Sequence, residues 1–258
     1  MKTPPLIVFT DLDGTLLDHD TYDWSPAEPV LTKLTEQGIP VILTSSKTAP
    51  EIAELRSAMG LDRWPAICEN GAGVMPAGAG ELPDPGPYAK LRAALNEVPS
   101  ELRQYYRGFG DMDANGVADA TGLPVGSAAK AATRAFSEPG IWSGSDANRD
   151  AFIAALADLG VTCRDGGRFL TLGWGRLKSD AMAEVLDMYG TPPSIALGDA
   201  PNDIEMIEQA THGVIIPNPH RTPLPPVNGE LEGRVIRELS PGPTGWAHAV
   251  QTLLRRYE

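Results

Sequence analysis

The chain of 258 residues holds only two cysteines, Cys68 and Cys163. Neither has metal-ligand spacing, and two lone cysteines make no disulfide framework, so the sequence reads as that of a protein of a reducing compartment, the cytoplasm. Positive charge is also scarce: 21 Lys and Arg stand against 34 Asp and Glu, a formal net charge of −13. That balance argues against a nucleic-acid partner, because a surface that follows a phosphate backbone must be basic. An anionic small molecule remains compatible if a bound cation supplies the local positive charge. No apolar run approaches the roughly 20 residues of a membrane span. Met1–Pro5 contain one basic residue and the apolar stretch behind them stops at Asp11, which predicts no signal peptide. Internal repeats are missing. His19, His212, His220 and His248 show no spacing for a metal or a triad and are read as non-catalytic.

What is present is a rhythm. Leu6–Thr10 is short, apolar and followed by turn residues, the pattern of a buried parallel strand. A helix is predicted over Ala27–Gln37, a strand over Ile39–Leu43, a helix over Pro50–Met59 and a strand from Ala66 to Cys68. Alternating strands and helices specify a parallel sheet with right-handed crossovers. The rhythm breaks at Ala72–Tyr88, a Gly- and Pro-rich stretch read as a hairpin or linker. Helices over Leu91–Val98, Ser127–Phe136 and Asp150–Leu159, with strands at Gly140–Ser143 and Val161–Leu172, make a separate α+β module. The first pattern resumes with helices at Lys178–Tyr189 and Asp203–Gln209 and strands at Ser194–Leu197 and Gly213–Ile216, and Pro217–Pro226 is a proline-dense loop. The expected architecture is α/β, a Rossmann-like parallel-sheet core of residues 1–82 and 173–258 with an α+β cap inserted at 83–172.

Ligands of an open parallel sheet bind outside the carboxyl ends of its strands. Asp11 and Asp13 follow the first predicted strand, Thr44–Ser46 the second and "LGDAPND" (Leu197–Asp203) the strand at Ser194, while Lys178 opens a helix. Each has an ordinary explanation alone: Ser45 or the aspartates as helix caps, Lys178 as a solvated charge. Their convergence on one sheet edge points instead to phosphoryl chemistry. Mg²⁺ takes oxygen ligands and uses one or two carboxylates with substrate phosphate, which Asp11 and Asp199 offer from two loops. Residues 11 and 13 start on one face of the strand. Ser45 and Lys178 supply a hydroxyl and an ammonium for the phosphoryl oxygens, and a carboxylate can act as the nucleophile.

"DLDGTLLD", "LTSSKT", Lys178 and "GDAPND" resemble the four ordered motifs of the haloacid dehalogenase superfamily of phosphohydrolases, in the subgroup with a large α/β cap. Within it the chain is similar to mannosyl-3-phosphoglycerate phosphatases through "TSSKT", "ENGAGV", "RAFSEP", "GGRFLTL", "LGDAPND" and "GPTGW". The resemblance implies a nucleophile at Asp11 and a proton-transferring acid and base at Asp13, whose carbonyl also meets Mg²⁺. It implies a phosphoryl-binding hydroxyl at Ser45, a charge-balancing Lys178, and Asp199 as metal ligand. Asp203 is assigned with the metal set (Asp11, Asp13, Asp199), and Asn202 and Asp203 position the ion's water or Lys178. Two positions depart from the family pattern: Leu177-Lys178-Ser179 replaces aspartate-lysine-glycine, and Ala200 replaces a more usual serine.

The cap is expected to choose the substrate. Arg134 and Arg168 offer planar forks for a carboxylate or phosphate, and Gly166-Gly167 would admit an anion to the backbone. The plain alternatives are a solvated helix face for Arg134 and a hairpin turn for the glycines. Lys47 either faces substrate or belongs to a helix start. The implied reaction is Mg²⁺-dependent hydrolysis of a small phosphorylated glycosyl-glycerate, mannosyl or glucosyl, through an aspartyl-phosphate, in the cytoplasmic synthesis of a compatible solute. A sugar-phosphate phosphatase or phosphomutase of the same superfamily is the alternative within the class. A catalytically silent binding module is the alternative outside it, and the presence of both Asp11 and Asp13 weighs against that. Sugar preference and oligomeric state are not legible in the sequence.

Overall fold

In the computed structural model, which describes residues 3–78 and 83–257, the first apolar run becomes a fully buried strand β1 (Ile7–Thr10). A single 3-10 turn at Ser25–Ala27 leads into helix α1 (Glu28–Glu36), which buries Val30, Leu31 and Leu34 along one stripe. Strand β2 (Val41–Leu43), helix α2 (Ala49–Ala58) and strand β3 (Ala66–Cys68) follow as the sequence predicts, each within a residue or two of the expected ends. Strand β4 (Gly73–Met75) pairs antiparallel with β3, so the start of the Gly/Pro-rich stretch is the second arm of a hairpin. Residues 79–82 of that stretch lie outside the described residues.

The inserted segment runs through helices α3 (Gly86–Glu97) and α4 (Ser100–Arg103), strand β5 (Tyr106–Gly108), helices α5 (Ala114–Thr121) and α6 (Val125–Ala131), strand β6 (Glu138–Trp142), helix α7 (Asp146–Asp158) and strands β7 (Thr162–Gly166) and β8 (Phe169–Gly173). Its sheet is antiparallel with order β5-β6-β8-β7. Leu91, Leu95, Tyr106, Phe152, Leu156 and Leu172 form its core. Glu138 is fully buried there, accepting from Tyr88, Arg92 and the Gly110 amide, which satisfies a charge that would otherwise be costly. The sequence expectation needs correction here. Val161–Leu172 is not one strand but two, turned at Gly167, whose φ is +61°. The helix expected over Ser127–Phe136 is shorter, and β5, α4 and α5 were not anticipated.

The chain then returns through helix α8 (Lys178–Met188), strand β9 (Ser194–Gly198), a 3-10 turn at Pro201–Asp203, helix α9 (Ile204–Gln209), strands β10 (His212–Ile215) and β11 (Val235–Arg237) and helix α10 (Gly242–Leu254). The parallel sheet has the order β11-β10-β9-β1-β2. Strand β11 and helix α10 extend the fold beyond the last element expected at Gly213–Ile216. The chain divides into two compact units, Met1–Ser46 with Ile52–Glu81 and Leu177–Glu258, and Lys47–Glu51 with Leu82–Arg176. The α/β architecture with a parallel-sheet core and an inserted α+β segment is therefore the one the sequence specifies. Among the described residues no helix is long and apolar enough to cross a membrane.

Candidate active site

Strands β9 and β1 are neighbours in register, Leu197 beside Thr10, so the residues that follow each leave the sheet together. Asp11 comes off β1 with its amide donating to the Leu197 carbonyl at 2.9 Å. Asp199 comes off β9 one residue after Gly198. Lys178, the first residue of α8, reaches the same point: its Nζ donates to Asp11 Oδ1 at 2.6 Å, to Asp203 Oδ1 at 2.7 Å and to the Thr44 carbonyl at 3.1 Å. The other Asp203 oxygen accepts from the Asp199 and Ala200 amides at 3.1 and 3.0 Å. Asp199 accepts from Thr15 Oγ1 at 3.1 Å and from Asn218 Nδ2 at 2.7 Å, and the Arg221 guanidinium lies 3.4 Å away.

Two glycines make this convergence possible. A Cβ on Gly198 would overlap the Asp203 side chain folded back against it. A Cβ on Gly71 would overlap the Leu177–Lys178 peptide, and the φ of +92° at Gly71 is itself a conformation that side chains avoid. The "ENG" turn and the "GD" step are thus packing requirements of the site as well as turn signals.

Asp11, Asp199 and Asp203 are buried, with ligand oxygens within 4.8 Å of one another, and Lys178 is the ammonium among them. Burial pushes the Asp11 carboxyl up to about 8, and the Asp203 and Asp13 charges add to this against the downward pull of Lys178. Burial likewise raises Asp199, opposed by the Asn218 hydrogen bond. For Lys178 burial acts downward, but Asp11 and Asp203 outweigh it and hold the ammonium above its ordinary pKa. Three carboxylates against one ammonium leave two formal negative charges in a dry place. An all-oxygen donor set with that surplus suits a hard divalent cation, so Asp11, Asp199 and Asp203 are residues that fit one.

The family model of haloacid dehalogenase-like hydrolases matches residues 8–82 and 175–222. The match covers a little under half of the chain, so it is a likeness of those two segments to the family. They contain Asp11, Ser45, Lys178, Asp199 and Asp203, and they leave residues 83–174 outside the match. The fold recurs in solved structures. A protein from Geobacillus kaustophilus HTA426 superposes with a TM-score of 0.68 at 18% identity, over 96% of this chain and 98% of its own. A phosphatase of the haloalkanoate enzyme superfamily from Bacteroides thetaiotaomicron gives 0.64 at 16% identity, over 95% and 94%. The sucrose-phosphatase of Synechocystis sp. PCC6803, solved with sucrose and phosphate, gives 0.61 at 15% identity over 98% of each chain.

The two matched segments bring Asp11, Lys178, Asp199 and Asp203 into direct contact range. Ser45 lies beside them in the chain, next to the Thr44 carbonyl that Lys178 uses; it is fully buried, its amide donating to Ile67 and its carbonyl accepting from Asn70. Asp13 sits two residues past Asp11 in a tight turn closed by Gly14 and Leu17. Asn202 donates to Asn70 Oδ1 at 2.9 Å, at the surface. The remaining expected residues belong to the inserted unit. Lys47 is half-buried there. Arg134 is buried and donates to the Ser137 hydroxyl at 2.6 Å and to the Ser137 carbonyl, so it does not occupy a solvated helix face. Arg168 donates to the Thr121 carbonyl and lies over the Phe169 ring, and Gly166 and Gly167 form the end of the β7–β8 hairpin.

Sequence reasoning missed several groups. Asn218 and Arg221 reach Asp199 from the proline-dense loop, and no local signal marks them. Trp246, fully buried on α10, donates its indole N–H to Thr10 Oγ1 at 2.9 Å, and Thr10 Oγ1 donates to the Asp11 carbonyl at 2.7 Å. The "GPTGW" stretch carried that residue without revealing its contact. Nor did any local signal mark that His19 and His220, read as non-catalytic, stack on one another with Asp20 beside them.

Proposed function

We propose that the chain is a divalent-cation-dependent phosphatase of a small phosphorylated glycosyl-glycerate, mannosyl- or glucosyl-3-phosphoglycerate. The observation that carries the reading is the buried Lys178 ammonium held between Asp11 and Asp203 with Asp199 alongside. The cluster's surplus of two formal negative charges calls for a divalent cation, and that cation together with Lys178 would offset the charge of a phosphoryl group. Lys178 fixes Asp11 Oδ1, which leaves Oδ2 as the atom that attacks phosphorus. As the P–O bond to the leaving group breaks, Asp13 gives that oxygen a proton; it then takes one from the water that cleaves the aspartyl-phosphate. Ser45 is assigned to the phosphoryl oxygens. Asp203 holds Lys178 and the Asp199 amide, so the cation falls chiefly to Asp11 and Asp199. When bound, Mg²⁺ supplies Lewis-acid stabilisation of phosphoryl charge.

The choice of glycosyl-glycerate rests on the sequence resemblance, which runs through both units, and the inserted unit is assigned the substrate choice through Arg134, Arg168, Gly166 and Gly167. A phosphatase of a simpler sugar phosphate is the second reading. It is favoured by the end-to-end likeness of fold to a protein named as a sucrose-phosphatase. A substrate panel separates the two: mannosyl-3-phosphoglycerate, glucosyl-3-phosphoglycerate, mannose 6-phosphate and 3-phosphoglycerate, each with Mg²⁺ and phosphate release measured. Preference for a glycosyl-3-phosphoglycerate is expected. Preference for mannose 6-phosphate or 3-phosphoglycerate would sink the specific assignment. Asp11→Asn should abolish turnover of every substrate, and retained turnover would remove Asp11 as nucleophile.

A further inference from the structure

His19 and Asp20 lie on the turn that follows "DLDGTLLD", and His220 lies on the loop after β10. The ligand atoms of His19, Asp20 and His220 all fall within 4.8 Å of one another. The two imidazoles stack with centroids 4.2 Å apart and planes 20° from parallel, and His220 Nε2 is 3.3 Å from Asp20 Oδ2. Both turns are set by other residues. Asp18 Oδ1 accepts from the Asp20 and Thr21 amides and from Thr21 Oγ1. Asn218 Oδ1 accepts from the His220 amide. The three side chains therefore face one another on backbone that is already organised.

We propose that His19, Asp20 and His220 form a surface site for a borderline transition-metal dication, Zn²⁺ by preference, separate from the buried carboxylate cluster. Two imidazoles and one carboxylate suit Zn²⁺, whereas Mg²⁺ prefers oxygen alone. With Zn–N bonds of about 2.0–2.1 Å, ligand atoms of a tetrahedral ion lie roughly 3.3 Å apart, so the three groups must close by up to about 1.5 Å and the two imidazoles must turn out of their stack to share an ion. The fourth position faces solvent, so water or an exogenous ligand completes the shell. A bound ion ties the His19 turn to the loop that carries Asn218 and Arg221, the two groups that reach Asp199. The site thus couples a surface metal to the posture of a loop behind the buried cluster.

The test uses the full chain without an affinity tag, stripped of metal and titrated with Zn²⁺ by calorimetry in the presence and absence of excess Mg²⁺. One Zn²⁺ that Mg²⁺ does not displace is expected in the native chain and in Asp11→Asn. His220→Ala and His19→Ala should each weaken that binding by more than the roughly 10-fold that follows loss of an outer-shell partner. Circular dichroism verifies that both variants are folded, and their Mg²⁺-dependent activity should equal that of the native chain. Zn²⁺ should also raise the melting temperature of the native chain and leave both variants unmoved. Unchanged Zn²⁺ affinity in both histidine variants overturns the proposal. Displacement of the ion by Mg²⁺, or its loss in Asp11→Asn, overturns it too, because either result puts the metal in the carboxylate cluster.

Discussion

Replacing Lys178 by Met tests the electrostatics of the site directly. Met keeps the unbranched stem and volume but removes a positive charge and three donated hydrogen bonds, to Asp11, Asp203 and the Thr44 carbonyl. Lys178 and Asp203 are almost completely excluded from water, so solvent screening cannot replace what is lost. Breaking a buried pair by removing one partner costs about 3–5 kcal/mol. At about 2–4 °C per kcal/mol for a chain of this size, the melting temperature of metal-free protein should fall by roughly 6–20 °C. A proton on Asp11, whose carboxyl burial pushes up to about 8, can substitute for the missing charge, so the loss is smaller near pH 5 and grows toward pH 8. The order of melting temperatures supplies a sharper check. Asp203→Asn should destabilise the native chain, where Lys178 loses a partner, but stabilise Lys178→Met, where a repelling charge is removed. Scanning calorimetry on the four proteins reads this cycle. Melting of metal-free Lys178→Met within about 2 °C of native, or the same sign for Asp203→Asn in both backgrounds, refutes the reasoning.

Three further outcomes follow from the same geometry. Trp246→Phe removes the indole N–H that donates to Thr10 Oγ1 and costs about 1–3 kcal/mol. Denaturant unfolding checks this, and kcat should fall with KM little changed because the Thr10 hydroxyl, which donates to the Asp11 carbonyl, loses the indole that holds it. Gly198→Ala forces Asp203 away from the Asp199 amide; thermal melting should drop and phosphate release should be lost, and native behaviour in both would show that the loop yields freely. Burial raises the Asp11, Asp199 and Glu138 carboxyls. The folded chain therefore binds protons that the unfolded chain has lost, and stability declines as pH rises from the ordinary carboxylate value of 3.8 through the value of about 8 at Asp11. Metal-free protein should melt lower at about pH 8 than at about pH 5, and excess Mg²⁺, which takes the place of the proton, should flatten that slope.

The strands β1, β2, β3 and β9 were legible because short apolar runs bounded by turn residues have few other readings. The site was legible for a related reason: Asp11, Lys178 and Asp199 stand at the ends or starts of those same elements, where topology brings them together. Strand β7, "TCRDG", has no apolar alternation and is mostly exposed, so it merged with β8 in the sequence reading. Strand β11 has three residues, too few for periodicity to distinguish it from loop. Long-range partnerships left no trace at all. Trp246 on an apolar helix reads as core whether or not its indole finds Thr10, and His19 and His220 become neighbours only once β1 and β10 are placed in one sheet.

The indole of Trp246 reaches a residue 236 positions earlier in the chain. During synthesis, then, the strand that bears Asp11 is among the first parts to leave the ribosome, yet the floor beneath it stays open until α10 has emerged. The inserted unit, drawn almost wholly from residues 82–176, closes its antiparallel sheet long before that. Contacts of low sequence separation form early and those of high separation late, so the nascent chain passes through a period in which the insertion is folded and the surrounding unit is not. Trimming or fusing this protein within α10 would therefore reach back to the oldest residues of the chain.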